Sequence, residues 1–232
     1  MRGLRAALAL AVLLPGCALF SSEARAKARF ASAVRAAKEG DLAGAREGLD
    51  AALEAEPGFM DAIMLRAAVE ERDGALDAAA EWYRRALETD PYYVDAGVAL
   101  GLVRLRQGHE EEAEQTFLHA TEVATWFVPA WVNLGLVRAH RGNDAGAREA
   151  LETAVGLYPD HARAQWALAE ICLRIGDDER AATALREVLR IQPDYRPAKE
   201  LLDLLEVRRS RPAEDSPGGD PFSPDRPGDA PR

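Results

Sequence analysis

This 232-residue chain has few cysteines, few aromatic residues and an excess of acidic over basic side chains. Its two cysteines, Cys17 and Cys172, cannot build a disulfide framework and do not have the spacing of zinc ligands. The formal net charge is -10, and because such a chain repels phosphate backbones, we expect no nucleic-acid partner. Aromatic residues make up 6% of the chain, whereas alanine, the strongest helix former, is abundant and favours an all-α fold.

The chain also lacks the sequence motifs of catalytic and metal sites. It contains no nucleophile–base set, phosphate-binding glycine loop or metalloprotease motif. Four histidines lie far apart without ligand spacing. They are His109, His119, His140 and His161. Cys172 stands among apolar residues and is expected to be a small buried hydrophobe. We therefore expect no enzyme activity, no cofactor and no metal site.

The N-terminal segment has the composition of a secretory signal. Two arginines among the first five residues precede an unbroken apolar run over residues 6–14. Nine helical residues span about 14 Å, about half of the hydrocarbon thickness of a bilayer, so this run is too short for a transmembrane helix. A basic start, a short apolar run and small residues after it are typical of a signal peptide.

The end of that run, Leu14-Pro15-Gly16-Cys17, resembles the lipobox of bacterial lipoproteins. The resemblance implies that residues 1–16 are a signal peptide, that Cys17 carries the lipid and that residues 17–25 form a linker. An ordinary cleaved signal followed by a chance cysteine is the alternative. Ala18 replaces the aspartate that favours inner-membrane retention, so the resemblance implies an outer-membrane location facing the periplasm, in the bacterial cell envelope.

Internal repetition with a 34-residue period is the strongest signal in the sequence. One column is glycine at Gly40, Gly74, Gly108, Gly142 and Gly176. Three columns hold small residues, namely Ala33, Ala67, Gly101, Gly135 and Ala169, then Ala45, Ala79, Ala113, Ala147 and Ala181, then Ala52, Ala86, Ala120, Ala154 and Val188. A fifth column holds Pro57, Pro91, Pro159 and Pro193, with Thr125 in the remaining place.

Each column predicts a structural role. The glycine is expected to end the first helix of each repeat in a left-handed conformation. The small residues are expected where two helices touch, and the proline marks the turn into the next repeat. Asp41, Asp144 and Asp178 lie near the starts of second helices and are expected to cap them.

These columns resemble the tetratricopeptide repeat, most clearly in Trp131-x-x-Leu134-Gly135 with its downstream Gly142 and Pro159. The resemblance implies an all-α, right-handed superhelical solenoid of helix-turn-helix repeats. The five repeats would span 26–59, 60–93, 94–127, 128–161 and 162–195. Residues 196–209 predict a capping helix, and the residues from 210 to 232, rich in proline, glycine and aspartate, predict a disordered tail. Arginines replace the family's apolar residues at Arg29, Arg66, Arg104 and Arg138.

By the same resemblance, the first helices line a concave groove that binds a helix or an extended peptide of a partner protein. The groove residues implied are Val98, Leu102, Leu105, Val132, Asn133, Leu136, His140, Trp166, Glu170 and Leu173. The Asn133 amide has both a donor and an acceptor for a peptide backbone. The competing interpretation is that some of these leucines belong to the core.

The combined features predict a lipid-anchored scaffold for protein–protein interaction, with an envelope assembly component as its partner. The layout resembles, loosely, the lipoproteins called type IV pilus pilotins, and no motif distinguishes these from other envelope lipoproteins. A self-assembling structural subunit is the alternative, and an enzyme is the least favoured class.

Overall fold

Eleven α-helices form the part of the chain, residues 15–210, that the computed structural model describes, with side chains from Ser22 onward. Their bounds are α1 Pro15–Glu39, α2 Leu42–Ala55, α3 Met60–Asp73, α4 Leu76–Thr89, α5 Val94–Arg106, α6 Glu110–Val123, α7 Val128–His140, α8 Asp144–Leu157, α9 Ala162–Arg174, α10 Asp178–Ile191 and α11 Arg196–Ser210. Nearly all of the predicted signal peptide and residues 211–232 of the predicted tail lie outside the described residues.

The helices belong to two compact units, one up to Ala150 and one from Leu151. In the first unit, α1 packs against α2, α3 against α4 and α5 against α6. Each second helix also packs against the first helix that follows it, as α2 does against α3, α4 against α5 and α6 against α7. In the second unit, α10 packs against both α9 and α11. The all-α repeat fold predicted from the sequence is therefore confirmed.

Glycine ends the first helix of every repeat. All five glycines of the column have a positive φ of 79–84°, a region that side chains with a Cβ rarely adopt. Gly74 also donates its backbone N–H to the carbonyl of Glu71, at the end of α3. Each glycine thereby reverses the chain into the second helix, as the 34-residue period predicts.

Alanine fills the contacts between helices. Ala45, Ala79, Ala113, Ala147 and Ala181 are all fully buried. In the column of small residues on the first helices, Ala33, Ala67 and Ala169 are fully buried, and a Cβ added to Gly101 would lie 2.5 Å from the Phe117 ring. These positions accept only small residues, because a larger side chain would separate two helices that are in contact.

The N-caps differ by one residue from the sequence prediction in two of three cases. The Asp41 carboxylate accepts the N–H of Gly44 at 2.9 Å, as expected. At α8 the cap is Asn143, whose Oδ1 accepts the N–H of Gly146 at 3.0 Å. At α10 it is Asp177, whose Oδ1 accepts the N–H of Arg180 at 3.1 Å. A cap must precede the first helical residue, so Asp144 and Asp178 lie one position too late.

The first helix begins earlier than the repeat pattern predicts. Residues 17–25, interpreted from the sequence as a linker, lie within α1. No glycine or proline interrupts the alanine-rich segment between Cys17 and Glu39, so nothing in it ends a helix. At the other end of the chain, α11 matches the predicted capping helix and continues to Ser210.

Three of the four arginines that depart from the repeat pattern form ion pairs. Arg104 Nε lies 3.1 Å from Glu112 Oε2. Arg66 Nε lies 3.0 Å from Asp50 Oδ1, and the Arg66 guanidinium stacks over the Trp82 ring at 5.2 Å. Arg138 belongs to a bridge between neighbouring repeats. At these three positions a half-buried ion pair of the arginine thus replaces the buried apolar contact of the family pattern.

Two bridges between neighbouring repeats occupy equivalent positions with opposite polarity. In the first, Arg46 of α2 pairs with Glu70 of α3 at 2.9 Å and also with Asp73. In the second, Glu114 of α6 pairs with Arg138 of α7 at 3.1 Å and also with Arg141. Each pair of primary partners is 24 residues apart. The cation therefore comes from the earlier repeat in one bridge and from the later repeat in the other.

Candidate protein-binding surface

The predicted groove residues of the first unit lie on α5 and α7, which contact each other. Val98, Leu102 and Leu105 follow one another at helical spacing along one side of α5. Val98 packs into a core cluster and Leu105 lies half-buried against that cluster. Leu102, between them, is 39% exposed. Leu102 is therefore the accessible apolar side chain of this face, between the buried Val98 and the half-buried Leu105.

On α7 the burial of the predicted residues is more uneven. Val132 is 2% exposed and Asn133 is 7% exposed, so both contribute mainly to the interior and not to an open surface. Leu136 is half-buried, and His140 is exposed with its Nδ1 2.9 Å from Glu110 Oε1. Leu136 stands 34 residues after Leu102, at the equivalent position of the next repeat. The accessible apolar part of this surface is thus the pair Leu102 and Leu136.

Asn133 is 7% exposed, so its side-chain amide, which has both a donor and an acceptor, belongs to a residue that is not completely covered. The small exposed fraction of Asn133 is therefore the part of this surface best suited to a hydrogen bond with a bound backbone.

A column of basic residues borders this surface. The sequence analysis assigned groove residues one at a time and did not recognise that these basic residues recur in every repeat. One basic residue stands at the C-terminal end of each first helix, with the same 34-residue period, namely Lys38, Arg72, Arg106, His140 and Arg174. Positive charge at this place is favourable, because the C-terminal end of a helix is the negative end of its macrodipole. In the first unit all of them are exposed. Searching every repeat position for charge, and not only for size, would have found this column.

Part of the column also connects consecutive repeats. Arg72 donates from Nη1 to the carbonyl of Ala37 at 2.8 Å, and Arg106 Nη1 lies 2.6 Å from Glu71 Oε1. Glu71 also accepts a hydrogen bond from the Tyr83 hydroxyl at 3.1 Å. Burial, and then the charge of Glu71, raise the pKa of Tyr83 well above its usual range. The surface beside Leu102 therefore carries Arg106, which Glu71 holds in place.

The second unit carries the remaining predicted groove residues on α9. Trp166 is half-buried and packs edge-on against Tyr195, with ring centroids 5.2 Å apart. Glu170 is exposed and Leu173 is half-buried. Arg174, the cation of the column in this repeat, is exposed as well. This helix offers an aromatic edge, a carboxylate and a leucine for contact.

Nothing in this arrangement brings reactive groups together. Within residues 15–210, no three histidine, cysteine, aspartate or glutamate side chains are placed to hold a metal ion. No helix in the described range is both long enough and apolar enough to cross a bilayer. Exposed leucines bordered by cations are suited to binding a polypeptide segment.

A helical hairpin repeated every 34 residues, with glycine and alanine at fixed places, defines a class of repeat proteins built for binding. The model of the tetratricopeptide repeat family matches residues 30–94, 98–160 and 145–196. The chain belongs to this family.

Solved structures with the same fold are similar to the chain at low identity. pilF of Pseudomonas aeruginosa is 22% identical, with a TM-score of 0.68 over 82% of this chain and 88% of that one. MamA is 20% identical, with a TM-score of 0.64 over 73% and 92% of the respective chains. YrrB, described as a TPR protein with an unusual peptide-binding site, is 20% identical, with a TM-score of 0.61 over 80% and 95%. No curated protein matches the chain significantly.

Proposed function

We propose that the protein is a lipid-anchored scaffold of the bacterial cell envelope that binds a segment of a partner protein on the faces of its first helices. The observation that carries this proposal is the pair formed by the exposed Leu102 and the half-buried Leu136, which repeats at 34 residues on two contacting helices. Peptide binding by YrrB, which has the same fold, supports it. The family's role as a protein-interaction scaffold supports it as well.

The chemistry of the surface defines the partner segment. Leu102 and Leu136 favour apolar side chains spaced to reach two consecutive repeats. The neighbouring Arg106 favours acidic side chains beside those apolar ones, and His140 adds a polar ring with hydrogen-bonding nitrogens. An amphipathic segment of an envelope assembly component, with an apolar stripe flanked by acids, meets both conditions. Because exposed charges act mainly on association rate and specificity, the leucine contacts supply most of the affinity.

The binding surface is tested by replacing both leucines. Leu102→Glu/Leu136→Glu places carboxylates where apolar contact is expected, so partner capture should fall at least tenfold. This corresponds to about 1.4 kcal/mol. The measurement is a crosslinking pull-down from native envelopes, with helicity checked by circular dichroism. Leu204→Glu/Val207→Glu is the matched control, because both residues are exposed apolar side chains of α11.

Three outcomes of that pull-down are distinguishable. Loss of one partner in the Leu102/Leu136 variant but not in the α11 variant supports the proposal. Equal capture by both variants would place binding elsewhere on the chain. Capture of the chain itself as the main partner would favour the self-assembling subunit instead.

The lipid anchor is tested at Cys17. Cys17→Ser removes the thiol that the lipobox resemblance assigns to lipidation, so the protein should move from the detergent phase to the aqueous phase in phase partitioning. Cys172→Ser, at a buried cysteine of α9, should leave partitioning unchanged. If both variants partition as the wild type does, the cysteine is not the anchor.

A further inference from the structure

The first repeat exposes a helix face that later repeats bury. α3, α5 and α7 each pack on the second helix of the preceding repeat, whereas several residues along one side of α1 are exposed. We call this the α1 outer face, and it consists of Ala24, Arg25, Ala28, Arg29, Ala31, Ser32 and Arg35, all exposed.

The residue types on this face differ sharply from those of the equivalent positions in other repeats. The position of Arg29 holds Ile63 and Trp131 in the second and fourth repeats, and the position of Arg35 holds Val69 and Val137. Ile63, Val69 and Val137 are almost completely buried. Replacing buried apolar residues with polar ones is required at the open end of a repeat array. That requirement does not explain why the replacements are cations.

The charge of the face is opposite to that of the whole chain. Residues 22–39 contain five lysines and arginines and two glutamates, whereas the chain carries a formal net charge of -10. Lys27 pairs with Glu23 at 2.5 Å, and Arg29 and Arg35 are exposed cations of the outer face. Glu54 of α2 lines the same recess as Arg29. Because exposed charges are screened beyond about 8–10 Å at physiological ionic strength, a nearby partner meets these groups more strongly than it meets acids elsewhere in the chain.

We propose that the α1 outer face docks on the anionic phospholipid headgroups of the membrane, and this inference rests on the lipid anchor proposed above. One continuous helix runs from Pro15 to Glu39, so Arg29 and Arg35 lie about 18 Å and 27 Å along the axis from Cys17. An anchored chain keeps the arginines close to the bilayer surface, where each cation adds attraction to anionic lipid. The alanines between them allow close approach because they do not project beyond the arginines.

The docked face fixes the orientation of the protein on its membrane. With α1 lying along the surface, the anchor and the arginines hold the first repeat at two places. The first unit then cannot rotate freely about its lipid, and its binding surface on α5 and α7 keeps a constant direction relative to the bilayer.

The experiment uses the lipidated full chain, reconstituted in vesicles that carry a nitroxide quencher on their headgroups. A fluorophore is attached at Ser32→Cys on the outer face or at Thr183→Cys, an exposed position on α10. Vesicles containing phosphatidylglycerol are compared with vesicles of phosphatidylcholine alone. We expect stronger quenching of the Ser32→Cys label in the anionic vesicles, lost at high salt, and no such difference at Thr183→Cys.

Charge removal provides the decisive comparison. Arg29→Gln/Arg35→Gln should reduce the docked population by roughly tenfold or more, because two cations leave the lipid surface. Arg163→Gln/Arg209→Gln removes the same charge from exposed positions elsewhere in the chain and should leave the quenching unchanged. Equal quenching of the Ser32→Cys label in the unsubstituted chain, in both charge variants and in both lipids would overturn the proposal.

Failure of the anchor looks different from failure of the docking. A protein that does not partition into either kind of vesicle lacks the anchor, and the proposed lipid attachment then falls together with the docking. A protein that partitions equally into both, without lipid-dependent quenching, keeps the anchor and refutes the docking. Shielding of Ser32→Cys that depends on protein concentration and not on lipid would show that a second copy covers the face.

Discussion

At the scale of single residues, Gly101 is required by a neighbouring ring and not by its own backbone. It lies inside α5, and a Cβ there would meet the Phe117 ring at 2.5 Å. Gly97, one turn earlier on the same helix, would place a Cβ at an ordinary 3.8 Å from Ala120. The two glycines therefore differ in the space around them and share the same helical backbone.

This difference makes a matched pair of substitutions. Both Gly97→Ala and Gly101→Ala gain helix propensity, about 1 kcal/mol each. Only Gly101→Ala must also displace Phe117, so its free energy of unfolding should be about 1–3 kcal/mol lower than that of Gly97→Ala. Urea unfolding followed by circular dichroism measures the difference, and equal stabilities would contradict the close packing of Phe117.

Single residues also show where sequence reasoning stops. The left-handed glycines and the buried alanines could be predicted, because backbone conformation and close helix contact each permit few residue types. The burial of Val132 and Asn133 could not be predicted, since it depends on how deeply α7 is covered by its neighbours. Leu102 is the exposed apolar residue among the predicted residues of the first unit and Leu136 is half-buried, whereas Val98, Val132 and Asn133 are buried.

At the scale of helices, α11 completes the second unit by covering α10. Ala198 is fully buried and Leu205 is 4% exposed, whereas Leu204 beside it is 65% exposed. The helix also carries an ion pair between Arg208 and Asp178 of α10, at 3.2 Å. The apolar side of α11 therefore covers the second helix of the last repeat, as a following first helix covers the second helix of an earlier repeat.

Adjacent leucines allow this role to be tested. Leu205→Glu buries a carboxylate against α10 and should lower the free energy of unfolding by about 3 kcal/mol or more. Leu204→Glu, on the exposed side, should change it by less than about 0.5 kcal/mol. Hydrogen exchange of the α10 amides should rise in the first variant alone. Similar exchange in the two variants would show that α11 does not protect α10.

Helix boundaries were predictable where a repeat provides the same signal five times. The prolines follow the second helices by two residues, as at Ala55 and Pro57 or Thr89 and Pro91. The start of α1 was not predictable from the period, because residues before 26 have no counterpart in the column pattern. The caps at Asn143 and Asp177 were missed because each is followed by a second residue that could cap, Asp144 or Asp178. The sequence alone does not show which of the two is the last residue before the helix.

At the scale of the whole molecule, the two bridges of opposite polarity define which repeat can follow which. Exchanging residues 60–93 with residues 128–161 would place Arg46 opposite Arg138 and Arg141, and Glu114 opposite Glu70 and Asp73. All other columns would be kept, because the two repeats share their glycine, alanine and proline positions. Like charges at half-buried contacts repel, so the exchanged chain should be less stable.

The exchange has its own control. The control exchanges only the charges of Glu70 and Asp73 with those of Arg138 and Arg141 in the exchanged chain. Both bridges then form again, and all packing residues stay exchanged. Thermal unfolding of the two chains should then differ, with the restored chain melting at the higher temperature. The same melting temperature for both would mean that packing alone determines the order of the repeats.

A gene made of tandem repeats loses or gains copies when its repeats misalign during replication. Loss of residues 60–127 would join the first repeat directly to the fourth and bring Arg46 against Arg138 and Arg141. The glycine and alanine columns would accept that junction, and the charges would oppose it. The polarity of the two bridges thus distinguishes otherwise similar repeats, and it disfavours the shortened array that this particular loss would produce.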